Sequence, residues 1–239
     1  MLKKISMIPG MVIVFSNSVF AGEGFYLGLG LGPENADFKQ KAHIARPRDF
    51  DTIDKTHHAG KGGFGSLFGG YEYRFSKCGS ECRCGSGCKC GNMLSLAGEL
   101  NLDISSVKFK SFNNEFLHQN FNKAAYKMRH SFGASLLPGI VITNCTLLYA
   151  RLGYVSRKFK LQTTEITLPS TDRTRSGFRY GLGIKQDITD HFALRLDYSE
   201  TAYKRVKIFG VDTSSNVTKN TSIRPLTRKF EIGFVYTWC

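Results

Sequence analysis

Large apolar residues recur at every second position near the end of the chain. In KFEIGFVYTW, residues 229 to 238, the residues at 230, 232, 234, 236 and 238 are large and apolar, and those between them are mostly small or polar. A period of two places successive side chains on opposite faces of a strand. The segment is therefore predicted to be a β-strand with one apolar and one polar face.

Seven further segments alternate in the same way, at about residues 25–31, 66–75, 94–104, 130–142, 147–155, 178–185 and 192–198. Eight strands are therefore predicted. Where the alternation fails, long linkers are expected at about 33–61, 105–127, 156–176 and 204–225, and short turns near 143–146 and 189–191. Long connections at one end and short ones at the other are typical of transmembrane β-barrels.

Alternation alone does not say which face points outward, but side-chain volume does. The interior of an eight-stranded barrel is just wide enough to be filled by side chains. It could not hold about thirty large apolar groups at the packing density of a protein interior. The bulky face must therefore point outward into lipid, which predicts an all-β, antiparallel, up-and-down transmembrane barrel.

The opposite face supplies the lumen, and it carries five acidic and five basic residues. Charges inside a barrel need partners of opposite sign, so we expect these side chains to form a network of ion pairs that plugs the lumen. The predicted network consists of Glu72, Arg74, Glu99, Asp103, Arg151, Arg179, Lys185, Arg195, Asp197 and Glu231.

The N-terminus has the features of an export signal. Lys3 and Lys4 precede an apolar run that ends at Val19-Phe20-Ala21, the small-residue pattern of a cleavage site. Residues 1 to 21 are therefore predicted to be removed, and the barrel domain is assigned to residues 22 to 239. The formal charge of +14 then falls to +12, because the leader holds two lysines.

Short motifs in several strands resemble those of a known family. The closing GFVYTW resembles the C-terminal strand of Gram-negative outer-membrane proteins, and LLYARLGYV and FGGYEYRF are similar to internal strands of OmpA-like, OmpX-like and opacity-type surface proteins. The resemblance implies an eight-stranded barrel in the bacterial outer membrane, inserted by the barrel assembly machinery. It also implies that Gly233, Tyr236 and Trp238 form the assembly signal, which here is followed by one more residue.

Seven cysteines fall on one side of this topology. With the N-terminus in the periplasm, residues 76 to 91 form the first periplasmic turn and carry five of them; the full set is Cys78, Cys82, Cys84, Cys88, Cys90, Cys145 and Cys239. Export to an oxidising space favours disulfides, including a link to a periplasmic partner or a second copy. The cysteines of the turn could instead bind a metal or stay as free thiols.

Positive charge is concentrated on the opposite side. The four outer segments carry +1 over 33–61, +3 over 105–127, +3 over 156–176 and +6 over 204–229, or +13 in all. A field of this sign attracts polyanions. The expected partners are outer-membrane lipid, the phosphates of lipopolysaccharide and acidic polysaccharides of a host surface; nucleic acid is not expected.

No constellation of catalytic residues is found. His130 and Ser131 are adjacent in a predicted strand, which places them on opposite faces. We therefore expect a non-enzymatic surface protein without a cofactor, active in envelope integrity or attachment. Two alternatives stay open: an enzyme that modifies lipid A, and a channel for small solutes.

Overall fold

The computed structural model describes residues 24–45, 52–75, 93–112, 123–143, 145–163, 171–212 and 217–238. The predicted leader, the cysteines of residues 78 to 90 and Cys239 lie outside these ranges. No helix among the described residues has the length and hydropathy needed to cross a membrane.

The described residues form ten strands, of which two pairs each continue one path. Two residues separate β3 from β4 and β8 from β9, so the ten segments trace eight barrel strands. The strands are β1 (Gly24–Ala45), β2 (Thr52–Phe75), β3 (Met93–Ser105), β4 (Lys108–Phe112), β5 (Lys123–Thr143), β6 (Thr146–Thr163), β7 (Thr171–Asp187), β8 (Phe192–Tyr203), β9 (Val206–Asp212) and β10 (Val217–Trp238).

The sheet closes on itself because β1 pairs with both β10 and β2. Phe25 lies opposite Trp238 on one side and opposite Tyr71 on the other. Every pairing is antiparallel, and each of the ten strands except β9, which pairs with β10, has a neighbour on both sides. The predicted eight-stranded antiparallel barrel is therefore confirmed. We call the end that holds the turns after β5 and β7 the turn end, and the opposite end the loop end.

The two faces of each strand point as the volume argument predicts. Outward leucines and isoleucines are highly exposed, with Leu31 at 65% and Ile104 at 74%. Charged side chains between them are buried, with Glu99 and Arg151 both at 2%. The outward apolar residues form one band around the barrel, and only hydrocarbon is a favourable solvent for a band of this kind.

The strands run well beyond this band, which corrects the predicted loop boundaries. β1 and β2 continue through most of 33–61, β4 and β5 occupy parts of 105–127, β6 and β7 extend into 156–176, and β9 and β10 fill much of 204–225. The prediction took the end of the apolar alternation for the end of each strand. The alternation stops where the lipid stops, whereas strand pairing continues in water.

Above the band, the polarity of the two faces is reversed. Phe38 is buried next to exposed Lys39, and Val107 is buried next to exposed Lys108. The inward apolar side chains pack together at the loop end of the lumen. This upper apolar cluster consists of Ala36, Phe38, Val107, Met128, Val155, Phe159, Tyr203 and Ile223.

Inward glycines make room for aromatic rings inside the lumen. A Cβ atom added at Gly183 would lie 2.3 Å from the ring of Tyr149, which is 3% exposed. A Cβ atom added at the outward Gly98 would have no atom within 4 Å. The first glycine is therefore required by packing, and the second is not.

We predict that Gly183→Ala destabilises the barrel by about 1–3 kcal/mol, because the ring of Tyr149 cannot move without disturbing the packed lumen. The matched change Gly98→Ala should be neutral or slightly stabilising, since it restricts the unfolded chain without a clash. Urea unfolding in lipid vesicles, followed by the fluorescence of the only tryptophan, Trp238, measures both. Equal losses in the two variants would contradict this assignment of the inward face.

Candidate functional site

The lumen is the most highly organised polar region of the described structure. All ten residues of the sequence-derived charge set lie inside it, and each is at most 8% exposed. They form three groups along the barrel, and each group joins strands that are far apart in sequence.

The first group lies near the turn end, around Glu72. Its carboxylate accepts hydrogen bonds from Arg74 Nε at 2.8 Å and from Lys185 Nζ. Arg74 also reaches Asp187 Oδ2 at 3.1 Å. Two acids thus face two bases, and Asp187 is a member that the sequence set had not included.

The central group crosses the lumen from β3 to β8 and β10. Arg195 contacts Glu99 Oε2 at 2.5 Å and Glu231 Oε1 at 2.6 Å, and its guanidinium lies 3.5 Å from the centroid of the Phe68 ring. Arg151 Nε donates to Asp197 Oδ2 at 2.9 Å. A continuous path of charged groups therefore spans the barrel at this level.

Tyrosine hydroxyls complete the central group. Tyr26 donates to Glu99 at 3.1 Å, and Tyr149 donates to Asp197 at 2.9 Å. Arg151 Nη1 lies 3.0 Å from Glu99 Oε1, which is within the distance of an ion pair. The two atoms do not have the geometry of a hydrogen bond, so Glu99 Oε1 has no hydrogen-bond partner. The contact is therefore an ion pair held by charge alone.

The third group lies toward the loop end and contains residues that the sequence reading placed elsewhere. Asp103 accepts from Arg179 at 2.8 Å and from Lys229 at 2.5 Å. Beside it, Arg157 Nη1 donates to Glu34 Oε1 at 2.5 Å, and both of these side chains are fully buried.

Glu34, Arg157 and Lys229 correct the sequence-based charge count. All three were assigned to the outer segments, yet they are buried in the lumen and add nothing to the outer field. A signal was present in β6: the apolar residues occupy even positions from Ala150 to Tyr154 and odd positions from Val155 onward. This change of phase places Arg157 on the inward face.

A cavity of about 20 Å³ lies between the turn-end and central groups, which is room for about one water molecule. Several buried polar atoms lack a protein partner, among them Glu34 Oε2 and Arg157 Nε. Single water molecules fit this arrangement.

On the outside, a smaller polar group marks the upper edge of the apolar band. Tyr180 and Tyr198 both donate to Glu200, and Arg228 bridges Glu200 and Asp37 at 2.9 Å each. Within this polar group, the outward charges thus balance each other.

The turn end holds the aromatic and cysteine features. Tyr236 packs edge-on against Trp238 with ring centroids 4.9 Å apart, and Gly233 is buried on the same strand. Cys145 is disulfide-bonded; the six other cysteines lie outside the described residues. Within the described ranges, no group of three or more His, Cys, Asp or Glu residues could hold a metal ion.

We predict that Glu99→Gln costs about 3–5 kcal/mol, because it leaves Arg151 and Arg195 buried with too little negative charge. Arg228→Gln serves as the control. It removes two ion pairs, in which Arg228 is 45% exposed and its partners Asp37 and Glu200 are 37% and 21% exposed, and water screens such pairs. Urea unfolding in vesicles should give a much larger loss for the first variant. Similar losses would show that the buried pairs do not stabilise the barrel.

Several known proteins are similar to this chain at low sequence identity. The chain is similar to Ail of Yersinia pestis (14% identity, covering 84% of this chain and 98% of that one, TM-score 0.34) and to OprG of Pseudomonas aeruginosa (14%, 90% and 96%, 0.47). Neisserial surface protein A is 13% identical over 85% and 96% of the chains, with a TM-score of 0.34. No curated protein sequence matches. The family model of the outer membrane protein β-barrel domain matches residues 10–237, and the chain therefore belongs to this family of bacterial outer-membrane proteins.

Proposed function

We propose that this protein is a non-enzymatic surface protein whose loop end contacts acidic polymers outside the cell. The observation that carries the proposal is the reversal of polarity above the apolar band. There the apolar side chains close the lumen and lysines point outward. The described residues thus offer a charged outer surface and an apolar cluster within the lumen.

Two features argue against the alternatives. A channel needs a continuous polar path, but the upper apolar cluster and the ion pairs fill the described lumen. An enzyme acting on lipid A needs its catalytic groups together, but His130 is exposed on the outer face and Ser131 is buried at 1%. Their opposite orientation prevents them from sharing one site.

Four exposed lysines near the loop end supply the proposed contact. They lie six to ten residues beyond Leu31 or Tyr198, the last large outward apolar residue of their barrel strand. Attraction between such lysines and a sulfated or carboxylated polysaccharide is electrostatic and weakens in salt. We call this set the upper lysines: Lys39, Lys41, Lys204 and Lys207.

We predict that changing the four upper lysines to glutamine lowers attachment of expressing cells to immobilised heparin by about ten-fold, since each exposed ion pair contributes roughly a factor of two. Attachment is measured as bound cells at rising salt. The control removes four other outward lysines, at 61, 108, 127 and 160, which lie four to six residues beyond the last large outward apolar residue of their strands. Equal attachment by the wild type and by cells lacking the protein would reject the proposal.

At the opposite end, we propose that the cysteine-rich turn forms disulfides that tie the periplasmic side together. Phe75 and Met93 flank this segment, and the register places both at the same end as Cys145 and Trp238. The oxidising periplasm favours this chemistry over free thiols.

The thiols provide the test of this proposal. With Cys145→Ser, we expect alkylation of the unreduced protein followed by mass spectrometry to detect one more free thiol among the six other cysteines than in the wild type. Non-reducing electrophoresis then shows whether the bonds lie within the chain or join it to a second chain. Alkylation of all seven wild-type cysteines without reduction would contradict the proposal.

A further inference from the structure

Four lysines form a continuous row across the outer wall of the barrel. The strand register makes them successive cross-strand partners: Lys61 on β2 lies opposite Lys108 on β4, Lys108 lies opposite Lys127 on β5, and Lys127 lies opposite Lys160 on β6. We call this set the lysine row.

The lysine row faces outward. The strand neighbour of each lysine is buried on the inner face; these neighbours are Gly60, Val107, Met128 and Phe159. Because side chains alternate along a strand, the four ammonium groups share the outer surface. Lys61 and Lys108 are exposed, and Lys127 and Lys160 are half-buried.

Direct neighbours of like charge destabilise a sheet, so the row is unfavourable by itself. Among the described residues, no carboxylate lies within ion-pair distance of any of its four ammonium groups. The backbone register ends the row at Asp172 on β7, which leaves a clear excess of positive charge.

The same line of cross-strand partners behaves differently on the other side of the barrel. It continues from Lys61 to Asn35, Arg228 and Glu200. There Arg228 is neutralised by Glu200 and Asp37. One half of the line is thus balanced within the protein, whereas the other half carries four lysines and one aspartate, Asp172.

The height of the row identifies the source of the remaining counter-charge. Lys108 follows the outward Ile104 by four residues, and Lys61 and Lys160 lie six residues beyond Leu67 and Tyr154. A tilted strand rises about 2.5 Å per residue along the membrane normal, so the row lies about 10–15 Å above the apolar band. At this level the neighbours of the wall are the head groups of the surrounding leaflet.

We propose that the lysine row binds the phosphate groups of lipopolysaccharide molecules packed against this side of the barrel. Several phosphates on adjacent saccharides match a row of charges spaced at strand intervals, about 4.5–5.5 Å apart. The inference goes beyond the proposed attachment, because it concerns a neighbour in the membrane and not a polymer in the medium.

The test uses the full mature protein in a neutral detergent, titrated with purified lipopolysaccharide. The row variant, with Lys61, Lys108, Lys127 and Lys160 all changed to glutamine, should need about ten-fold more lipopolysaccharide for half-saturation, since each exposed ion pair contributes roughly a factor of two. The variant of the four upper lysines loses the same charge and should shift the midpoint less than two-fold.

Two further measurements separate binding from folding and from general electrostatics. Without lipopolysaccharide, the row variant should keep its compact electrophoretic form to at least the wild-type temperature, because repulsion is relieved. With dephosphorylated lipopolysaccharide, the row variant and the wild type should titrate alike. If the four-fold variant does not fold, Lys108→Gln with Lys127→Gln replaces it, and a shift of about four-fold is expected.

Three results would overturn the inference. They are equal midpoints for the row and upper-lysine variants, a difference that persists with dephosphorylated lipopolysaccharide, and loss of heparin binding by the row variant with unchanged affinity for lipopolysaccharide. None of them depends on cell attachment, so the proposed surface function can fail or hold independently.

Discussion

A membrane-spanning sheet has no water to satisfy its backbone, and this constraint determines the rest of the structure. Every strand must be paired on both sides, so the sheet closes where β1 meets β10 and β2. Eight strands then enclose a lumen that side chains must fill. Large apolar residues are left with one place, the outer surface, and the lumen receives glycines and charged residues.

Buried charges are costly unless they are paired. In the lumen they form ion pairs between strands that are far apart in sequence. The contact between Arg195 and Glu99 joins residues 96 positions apart, and that between Arg157 and Glu34 spans 123 positions. A slip of one residue in any strand would turn such a group toward lipid and leave its partner alone. The ion pairs therefore penalise wrong registers in addition to filling space, and this restricts the barrel to one arrangement.

The sequence was sufficient to predict the barrel but not its full height. Within the bilayer, alternation reports lipid on one side and lumen on the other, so residues such as Leu31 and Glu99 could be assigned to faces correctly. Above the bilayer the outer surface meets water and the lumen is apolar. The apolar side chains therefore point inward and the polar ones outward, the reverse of the arrangement within the bilayer. Phe38 was therefore read as part of a loop although it is 2% exposed, and Arg157 was counted as a surface charge although it is fully buried. The ion pairs across the lumen depend on the register between strands, and the alternation pattern of a single strand does not determine that register.

The reversal of polarity above the apolar band also places outward basic residues in two different environments. A lysine on the wall just above the bilayer meets the head groups of neighbouring lipids, whereas a lysine near the loop end meets whatever the medium brings. Both sets of lysines are positively charged, but only the lysine row is in contact with the head groups, which are a dense and permanent source of anions. A row of four lysines that ends at a single aspartate is stable in such a setting because the membrane itself supplies the remaining counter-charge. The outer wall is thus complete only when its lipid neighbours are included, just as the apolar band is complete only in hydrocarbon.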